Sequence, residues 1–189
     1  MSKVTAIENA IIQLGAGEFQ EFCDTFLSKK EKYGAIHGLG KKSGTLKTTV
    51  GNPDTYFRNE NGKYVCVAYT TQQDGIFKKL KEDIEKCLDT TKTKLSIDEI
   101  EEIVCCHTSS NLLAGEDAEL HKLCENNGVK LTILGVDEIA QQIYRKYPSV
   151  AKDFFGISVD TNQIMSIDDF INIYDSNEMA APLKTVFQG

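Results

Sequence analysis

The chain has 189 residues, of which 41% are hydrophobic and 26% are charged, and its formal net charge is −7. This length and composition are typical of a globular protein with a substantial core, and the acidic balance argues against nucleic-acid binding over the whole surface. It leaves room for a local basic face, because association depends on where charges lie as well as on their sum. No apolar run approaches the roughly 20 residues of a membrane helix, and the N-terminus lacks the pattern of a signal peptide.

The cysteines form no C-x-x-C pair, and most of them lie inside apolar stretches. This spacing predicts reduced thiols in the core of a cytoplasmic protein. The cysteines are Cys23, Cys66, Cys87, Cys105, Cys106 and Cys124.

Two helices are predicted near the N-terminus. Residues 4–14 and 19–27 carry apolar residues at helical spacing, and Gly15 and Gly17 separate the two stretches. Residues 33–51 are rich in Gly, Ser and Thr, which predicts a loop with at most one short strand.

A hairpin and a helix are predicted next. Residues 55–57 and 63–69 read as strands, and the Asn-Gly pair at the end of residues 59–62 is a strong hairpin signal. Residues 75–88 have apolar positions at helical spacing with lysines and acids between them, which indicates an amphipathic helix.

From residue 100 onward, predicted strands and helices alternate. The strands are residues 100–107 and 129–134, and the helices are residues 114–126 and 136–147. This alternation predicts an α/β fold in which helices cover a sheet with parallel strand pairs.

We expect one domain over residues 1–147 and an extension over residues 148–189. The extension has only short apolar clusters, which predict a short helix near residues 167–174 followed by a linker. Its end carries no strong terminating signal, so we expect the chain to be a fragment of a longer protein.

One stretch carries a pattern with chemical meaning. Pro53-Asp54 opens the first strand of the hairpin, and Ala68-Tyr69-Thr70 lies in the second strand. The order of helix, hairpin, strand, helix and further strand resembles the PD-(D/E)xK, restriction endonuclease-like fold, which has a central mixed sheet flanked by helices. In that family a Pro-Asp is followed in the next strand by (Asp/Glu)-x-Lys.

The chemistry of such a site explains these residue types. Two carboxylates and a backbone carbonyl hold Mg²⁺, which polarises the phosphodiester and lowers the pKa of an attacking water. The lysine orients that water and offsets developing charge. Because residues i and i+2 of a strand point to the same side, the second carboxylate and the lysine reach one cleft together.

Three longer segments resemble the Mrr-like branch of this superfamily. They are GLGKKSGTLKTTVGNPDTYF, GKYVCVAYTTQ and VCCHTSSNLLAGEDAELHKLCENNGVKLTILGVDEIA. Members of this branch stand at the N-terminus of bacterial antiphage NTPases of the antiviral STAND (Avs) type, where the strand usually reads Glu-Tyr-Thr-Thr-Gln. The likeness covers roughly residues 15–187, and MAAPLKTVF resembles the junction before the NTPase module. Against this branch only Ala68 is aberrant, since Thr70 is tolerated in place of lysine.

The resemblance implies a metal site. Asp54, position 68 and the Tyr69 carbonyl would hold Mg²⁺, with Mn²⁺ as a substitute. Thr70 and Gln72 would orient water or phosphate.

The resemblance also implies neighbours of that site. Gln20 on the second helix would lie close to the metal. Lys41, Lys42 and Lys47 in the preceding loop would contact the DNA backbone and make binding salt-sensitive.

The implied function is that of an enzyme, a Mg²⁺-dependent DNA endonuclease acting on double-stranded DNA. An attached sensor NTPase would activate it by assembling an oligomer, and no membrane is involved. With Ala68 in the chain, we expect almost no nuclease activity, because Mg²⁺ is usually held by only one or two protein carboxylates.

Several alternatives stay open. Ala68 is explained by a deliberate Glu→Ala inactivation at this position, by natural decay into a DNA- or protein-binding module, or by a misplaced motif. A processing or recombination nuclease that stands alone is disfavoured by the open-ended tail.

Two further stretches favour ordinary structural roles. On the helix of residues 75–88 a cluster of lysines is followed by acids, which favours a solvent-exposed helix face. The lysines are Lys78, Lys79 and Lys81, and the acids are Glu82, Asp83 and Glu85. Cys105-Cys106-His107 favours a buried strand over a zinc or thiol site, because neighbouring residues of a strand point to opposite faces and no second ligand pair follows at metal spacing.

Overall fold

A mixed sheet with helices on both faces forms the centre of the protein. The computed structural model describes residues 2–30, 33, 36–38, 53–59, 61–109 and 112–159. Over these ranges the sheet has five strands, in the order β1-β2-β3-β4-β5. The strands are β1 (Ile36–Gly38), β2 (Thr55–Arg58), β3 (Tyr64–Thr70), β4 (Ile100–His107) and β5 (Lys130–Leu134).

Among the described strands, β2 runs opposite to the other four. β1 and β2 pair antiparallel, as do β2 and β3, whereas β3, β4 and β5 run parallel to one another. The predicted α/β class, with parallel pairs in a mixed sheet flanked by helices, is therefore confirmed.

The longer helices lie where the apolar spacing predicts them. The helices are α1 (Lys3–Ile12), α2 (Ala16–Ser28), α3 (Ile76–Leu88), α4 (Thr90–Thr93), α5 (Ala114–Glu125), α6 (Val136–Lys146) and α7 (Pro148–Phe155), with a 3-10 turn at Ile97–Glu99. The sequence did not predict α4, the 3-10 turn or α7.

The turn between β2 and β3 follows from its residues. The Gly62 N–H donates to the Asn59 carbonyl at 2.9 Å, and the Lys63 N–H donates to Asn59 Oδ1 at 2.9 Å. Gly62 has φ 76°, a left-handed conformation that glycine adopts without steric cost. This turn fixes the register in which β2 faces β3, and so decides which residues meet across the hairpin.

The two sides of the sheet carry different cores. On one side, which we call the aromatic face, α1, α2, α6 and α7 cover the sheet, and the core contains Phe19, Phe22 and Phe26. On the other side, the α3 face, α3 and α5 cover a core of smaller residues that includes four of the cysteines. Alternation along the strands separates the two, so that Cys105 belongs to the α3 face and Cys106 to the aromatic face.

The unpredicted helix α7 belongs to the aromatic face. Val150 and Ala151 are buried there, and the rings of Phe154 and Phe155 lie 5.4 and 5.3 Å from that of Phe22. The predicted extension at 148–189 thus begins with residues that pack on the core. The predicted helix near residues 167–174 and the tail MAAPLKTVF lie outside the described residues.

All six cysteines are free and buried, as the sequence predicts. None of the helices in the described ranges has the length and apolarity needed to cross a lipid bilayer.

Candidate metal-dependent active site

Asp54 and Ala68 lie opposite each other on neighbouring strands. Thr55 pairs with Val67 in the antiparallel ladder, so the preceding residue, Asp54, stands across from Ala68. Side chains of directly opposed residues lie on the same face of a sheet. Ala68 is buried in the core of the α3 face, next to residues of α3, and Asp54 therefore points to that face as well.

A hydrogen bond fixes the Asp54 carboxylate beside the backbone of β3. The Tyr69 N–H donates to Asp54 Oδ2 at 3.1 Å. On the other side of β3, the Thr70 carbonyl accepts from the Thr108 N–H at 3.3 Å. Because successive peptide groups of a strand point to opposite neighbours, the Tyr69 carbonyl is directed toward β2 and Asp54. The acid, position 68 and this carbonyl therefore lie on the same stretch of the β2–β3 ladder.

The charges around Asp54 are mixed. Burial raises the pKa of its carboxyl group, the Tyr69 N–H lowers it, and the Asp83 carboxylate raises it again. Lys79 and Lys86 act in the opposite direction and lower this pKa. A partly buried acid with a raised pKa and several charged neighbours is a frequent feature of functional sites.

Gln20 reaches Asp54 from the aromatic face. It is buried on α2, and its Nε2 donates to the Asp54 carbonyl at 3.4 Å and to Thr55 Oγ1 at 3.3 Å. These contacts hold the backbone at the start of β2. Gln20 thus touches the backbone of Asp54 and not its carboxylate, and its predicted place close to a metal stays a prediction.

Thr70 and Gln72 have different surroundings. Thr70 is the last residue of β3, is buried, and shares the α3 face with Ala68. Gln72 lies beyond the strand, is exposed, and donates through Nε2 to the Asp74 carbonyl. The side chains of Thr70 and Gln72 would share a face only if the strand continued, and β3 ends at Thr70. Gln72 contacts Thr70 through its backbone instead: the Gln72 N–H donates to Thr70 Oγ1 at 3.2 Å.

The predicted DNA-contacting lysines Lys41, Lys42 and Lys47 lie outside the described residues. Their predicted role therefore stays a prediction.

The charge cluster of α3, which the sequence predicts to be a solvated face, is partly buried. Asp83 is buried, and Lys79 and Lys86 both pair with it, at 2.6 and 3.0 Å. The prediction of a solvated face is therefore wrong for Lys79 and Asp83, while Lys78 is exposed as expected. A signal was present in the sequence, because Asp83 falls in phase with the inward-facing Ile76, Leu80, Ile84 and Cys87.

The Cys105-Cys106-His107 stretch forms a buried strand, as predicted. His107 Nδ1 lies 3.0 Å from Ser109 Oγ, and burial lowers the pKa of the imidazole. Thr70 neighbours His107 in register, and His107 lines a cavity of about 400 Å³ together with Asp117, Asp137 and Glu138.

The donors around Asp54 fit a divalent cation only in part. One carboxylate and one carbonyl are oxygen ligands of the kind that Mg²⁺ prefers, but a methyl group occupies the place of the second carboxylate. In the part of the chain that the structure describes, no group of three or more His, Cys, Asp or Glu residues is arranged to hold a metal ion. A carboxylate at position 68, facing Asp54, would supply the missing ligand.

Comparison with known proteins gave no relative: no family model matches the chain, and no curated protein or solved structure matches it significantly.

Proposed function

We propose that this chain is a Mrr-like, restriction endonuclease-like nuclease domain. It would be the Mg²⁺-dependent DNA endonuclease effector of a cytoplasmic bacterial antiphage NTPase, inactive as it stands because Ala68 replaces the catalytic glutamate. The observation that carries the proposal is the placement of Asp54. It lies across from position 68 in the ladder, and its carboxylate is bonded to the Tyr69 N–H at 3.1 Å.

The proposed chemistry assigns each group a simple task. Mg²⁺, when bound, would polarise the phosphodiester and lower the pKa of the attacking water. Asp54 and a carboxylate at position 68 would hold the ion from two strands, and the Tyr69 carbonyl would complete the set. The Tyr69 N–H keeps the Asp54 carboxylate oriented, and Gln20 keeps the backbone of Asp54 in place.

A gain of function tests the proposal directly. Ala68→Glu should produce Mg²⁺-dependent cleavage of duplex DNA that EDTA abolishes, while the present chain stays inactive. Ala68→Gln is the matched control, because it has nearly the same size and shape but no charge, and it should remain inactive. Plasmid DNA, single-stranded DNA and RNA should be compared, since the substrate form is part of the proposal. Absence of cleavage by Ala68→Glu on every substrate would overturn the nuclease proposal.

The second candidate is a nuclease fold that has decayed into a DNA- or protein-binding module. Ala68 itself favours this reading, because it is well buried among apolar neighbours on the α3 face. A decayed site would have lost further requirements for catalysis, so the Ala68→Glu protein would bind DNA without cutting it.

The proposed partners are double-stranded DNA and a C-terminal NTPase module that drives oligomer formation. Fusing the chain to such a module should make cleavage by the Ala68→Glu form depend on the activating trigger. Cleavage that is equally fast in monomer and oligomer would contradict activation by assembly.

A further inference from the structure

A buried carboxylate lies on the inward side of α3, among apolar residues. Asp83 is 8% exposed and falls between Leu80 and Ile84 on the helix face that meets the sheet. Burying a carboxylate is costly unless the charge is paired. Lys79 Nζ lies 2.6 Å from both Asp83 oxygens, and Lys86 Nζ lies 3.0 Å from one of them.

The direction of α3 places Lys79 at the level of the candidate site. α3 follows β3 and leads to the parallel strand β4, so the helix runs back from the carboxyl edge of the sheet. At 1.5 Å per residue, Lys79 lies about 5 Å into the helix and Lys86 about 15 Å. Ala68 lies about 7 Å before the end of β3, at 3.3 Å per residue. Lys79 is therefore level with positions 54 and 68, and Lys86 lies about two turns deeper.

The electrostatics around Asp54 agree with this placement. Burial is the main influence on the pKa of the Asp54 carboxyl group, and of the two lysines that lower this pKa, Lys79 has the larger effect. The Lys79 side chain is 28% exposed, and its ammonium group is bonded to Asp83. Lys78, the next residue back along the helix, is 85% exposed and turned away.

The β3 strand itself offers no cation. Thr70 stands where a lysine follows the catalytic acid in the wider superfamily, and its hydroxyl accepts the Gln72 N–H at 3.2 Å. A neutral hydroxyl can donate a hydrogen bond to a phosphodiester under attack, but an ammonium group also brings a positive charge that offsets the developing negative charge.

We infer that Lys79 is the cation that contacts the scissile phosphate, and that Asp83 is a positioning residue that holds Lys79 over Asp54. The inference rests on the proposed function, because it names a further catalytic residue of the same site. The positive charge that the lysine of the (Asp/Glu)-x-Lys pattern supplies from the strand would then come from the facing helix α3.

DNA binding by the chain as it stands gives the first test, independent of cleavage. Binding of a short duplex is measured over a range of salt concentrations for the parent, Lys79→Met, Lys79→Arg and Lys78→Met. Loss of one phosphate contact should reduce the slope of log K against log salt by about 0.9 for Lys79→Met. Lys79→Arg should keep the parent slope, and so should Lys78→Met. Equal slopes for Lys79→Met and Lys78→Met would overturn the inference, and so would absence of DNA binding by the parent.

Cleavage by the Ala68→Glu protein gives the second test. Adding Lys79→Met should lower kcat by about 10²-fold or more, as expected for removal of a group that stabilises the transition state. Adding Lys79→Arg should restore most of the rate, and adding Lys78→Met should change nothing. Asp83→Asn should lower kcat while leaving KM nearly unchanged, because the lysine charge is kept and only its position is lost.

The two proposals fail in different ways. An inactive Ala68→Glu protein contradicts the proposed function, and the binding slopes then still decide whether Lys79 touches a phosphate. An active Ala68→Glu protein whose rate is unchanged by Lys79→Met keeps the proposed function and overturns the role of Lys79.

Discussion

The two faces of the sheet are filled by side chains of different size. On the aromatic face large rings close the core: the Phe26 and Tyr147 rings lie 5.7 Å apart, and the α7 rings pack on Phe22. The α3 face is made of thiols and smaller aliphatic residues beside the partly buried Asp54 and the buried Asp83. The aromatic face buries a carboxylate as well, since Glu102 is 5% exposed and accepts from the Thr132 hydroxyl. The faces therefore differ in side-chain size, and both hold a buried charge that must be paired.

Each face carries a buried alanine that can be compared. Ala68 on the α3 face stands across from the partly buried Asp54, whereas Ala140 lies in the core of the aromatic face. The proposed metal site requires that position 68 accept a larger polar side chain. Making the same substitution at a buried residue on each face therefore tests whether the two faces differ.

The largest effect is expected when glutamine is placed at a buried alanine on each face. Ala140→Gln on the aromatic face should cost about 2–6 kcal/mol of the free energy of unfolding, because it overpacks the core and buries an unpaired amide. Ala68→Gln should cost about 1 kcal/mol, since Asp54 and the charges of α3 lie close by. Urea unfolding of both variants measures the difference, and equal losses would mean that position 68 is ordinary core.

Gln20, on the aromatic face, holds the backbone of Asp54, whose side chain lies on the α3 face. Removing the Gln20 amide should have the next largest effect on the free energy of unfolding. Gln20→Ala leaves the Asp54 carbonyl and the Thr55 hydroxyl without this partner, which should cost about 1–3 kcal/mol. Gln141→Ala is the matched control, because Gln141 is exposed on α6, and it should cost less than about 0.5 kcal/mol. In the Ala68→Glu background, Gln20→Ala should also slow cleavage by up to about 10²-fold through displacement of Asp54. Unchanged stability and rate would show that Gln20 positions nothing.

These predictions draw on different amounts of sequence information. The periodicities of α2, β3 and α3 and the Asn-Gly turn are local signals, and together they place position 68 across from Asp54. Helix α7 was missed because it is short and is held by contacts between Phe154, Phe155 and Phe22, which no local pattern reveals.

The candidate site could be predicted only as far as the hairpin determines it. Lysine–acid pairs four residues apart look the same whether they face solvent or the sheet, so the Lys79–Asp83 pair could be placed only by the packing of α3. The end of β3 at Thr70 is likewise set by the loop that follows, and this is why Gln72 does not continue the strand.

A smaller effect is expected from the pH dependence of stability at Asp54. Its folded-state pKa is raised, mainly by burial, so ionisation favours the unfolded state as pH rises above the unfolded value of about 3.9. Asp54→Asn should therefore raise Tm at pH 7, and the gain should shrink toward zero as the pH falls below about 4. Thermal unfolding from pH 3 to pH 7 measures this, and a gain that grows toward low pH would contradict the raised pKa.

The smallest effect is expected from thiol reagents on the folded protein. Burial raises the pKa of the Cys23 and Cys105 thiols, one on each face, and all six cysteines are buried. No thiol should react with a disulfide reagent at pH 8, and all six should react in urea. Selective early reaction of Cys66 or Cys105 would show that the α3 face opens locally, and would weaken the case for a preformed site.

A metal site between positions 54 and 68 can be tested by titration with a divalent cation. Mg²⁺ is titrated into the Ala68→Glu and Ala68→Gln proteins while the Tyr69 amide, which is bonded to the Asp54 carboxylate, is followed by NMR. We expect a saturable shift of this amide in Ala68→Glu, and no shift in Ala68→Gln or in Ala68→Glu with Asp54→Asn. An amide that responds equally in all three proteins, or in none of them, would contradict a metal site between the two strands.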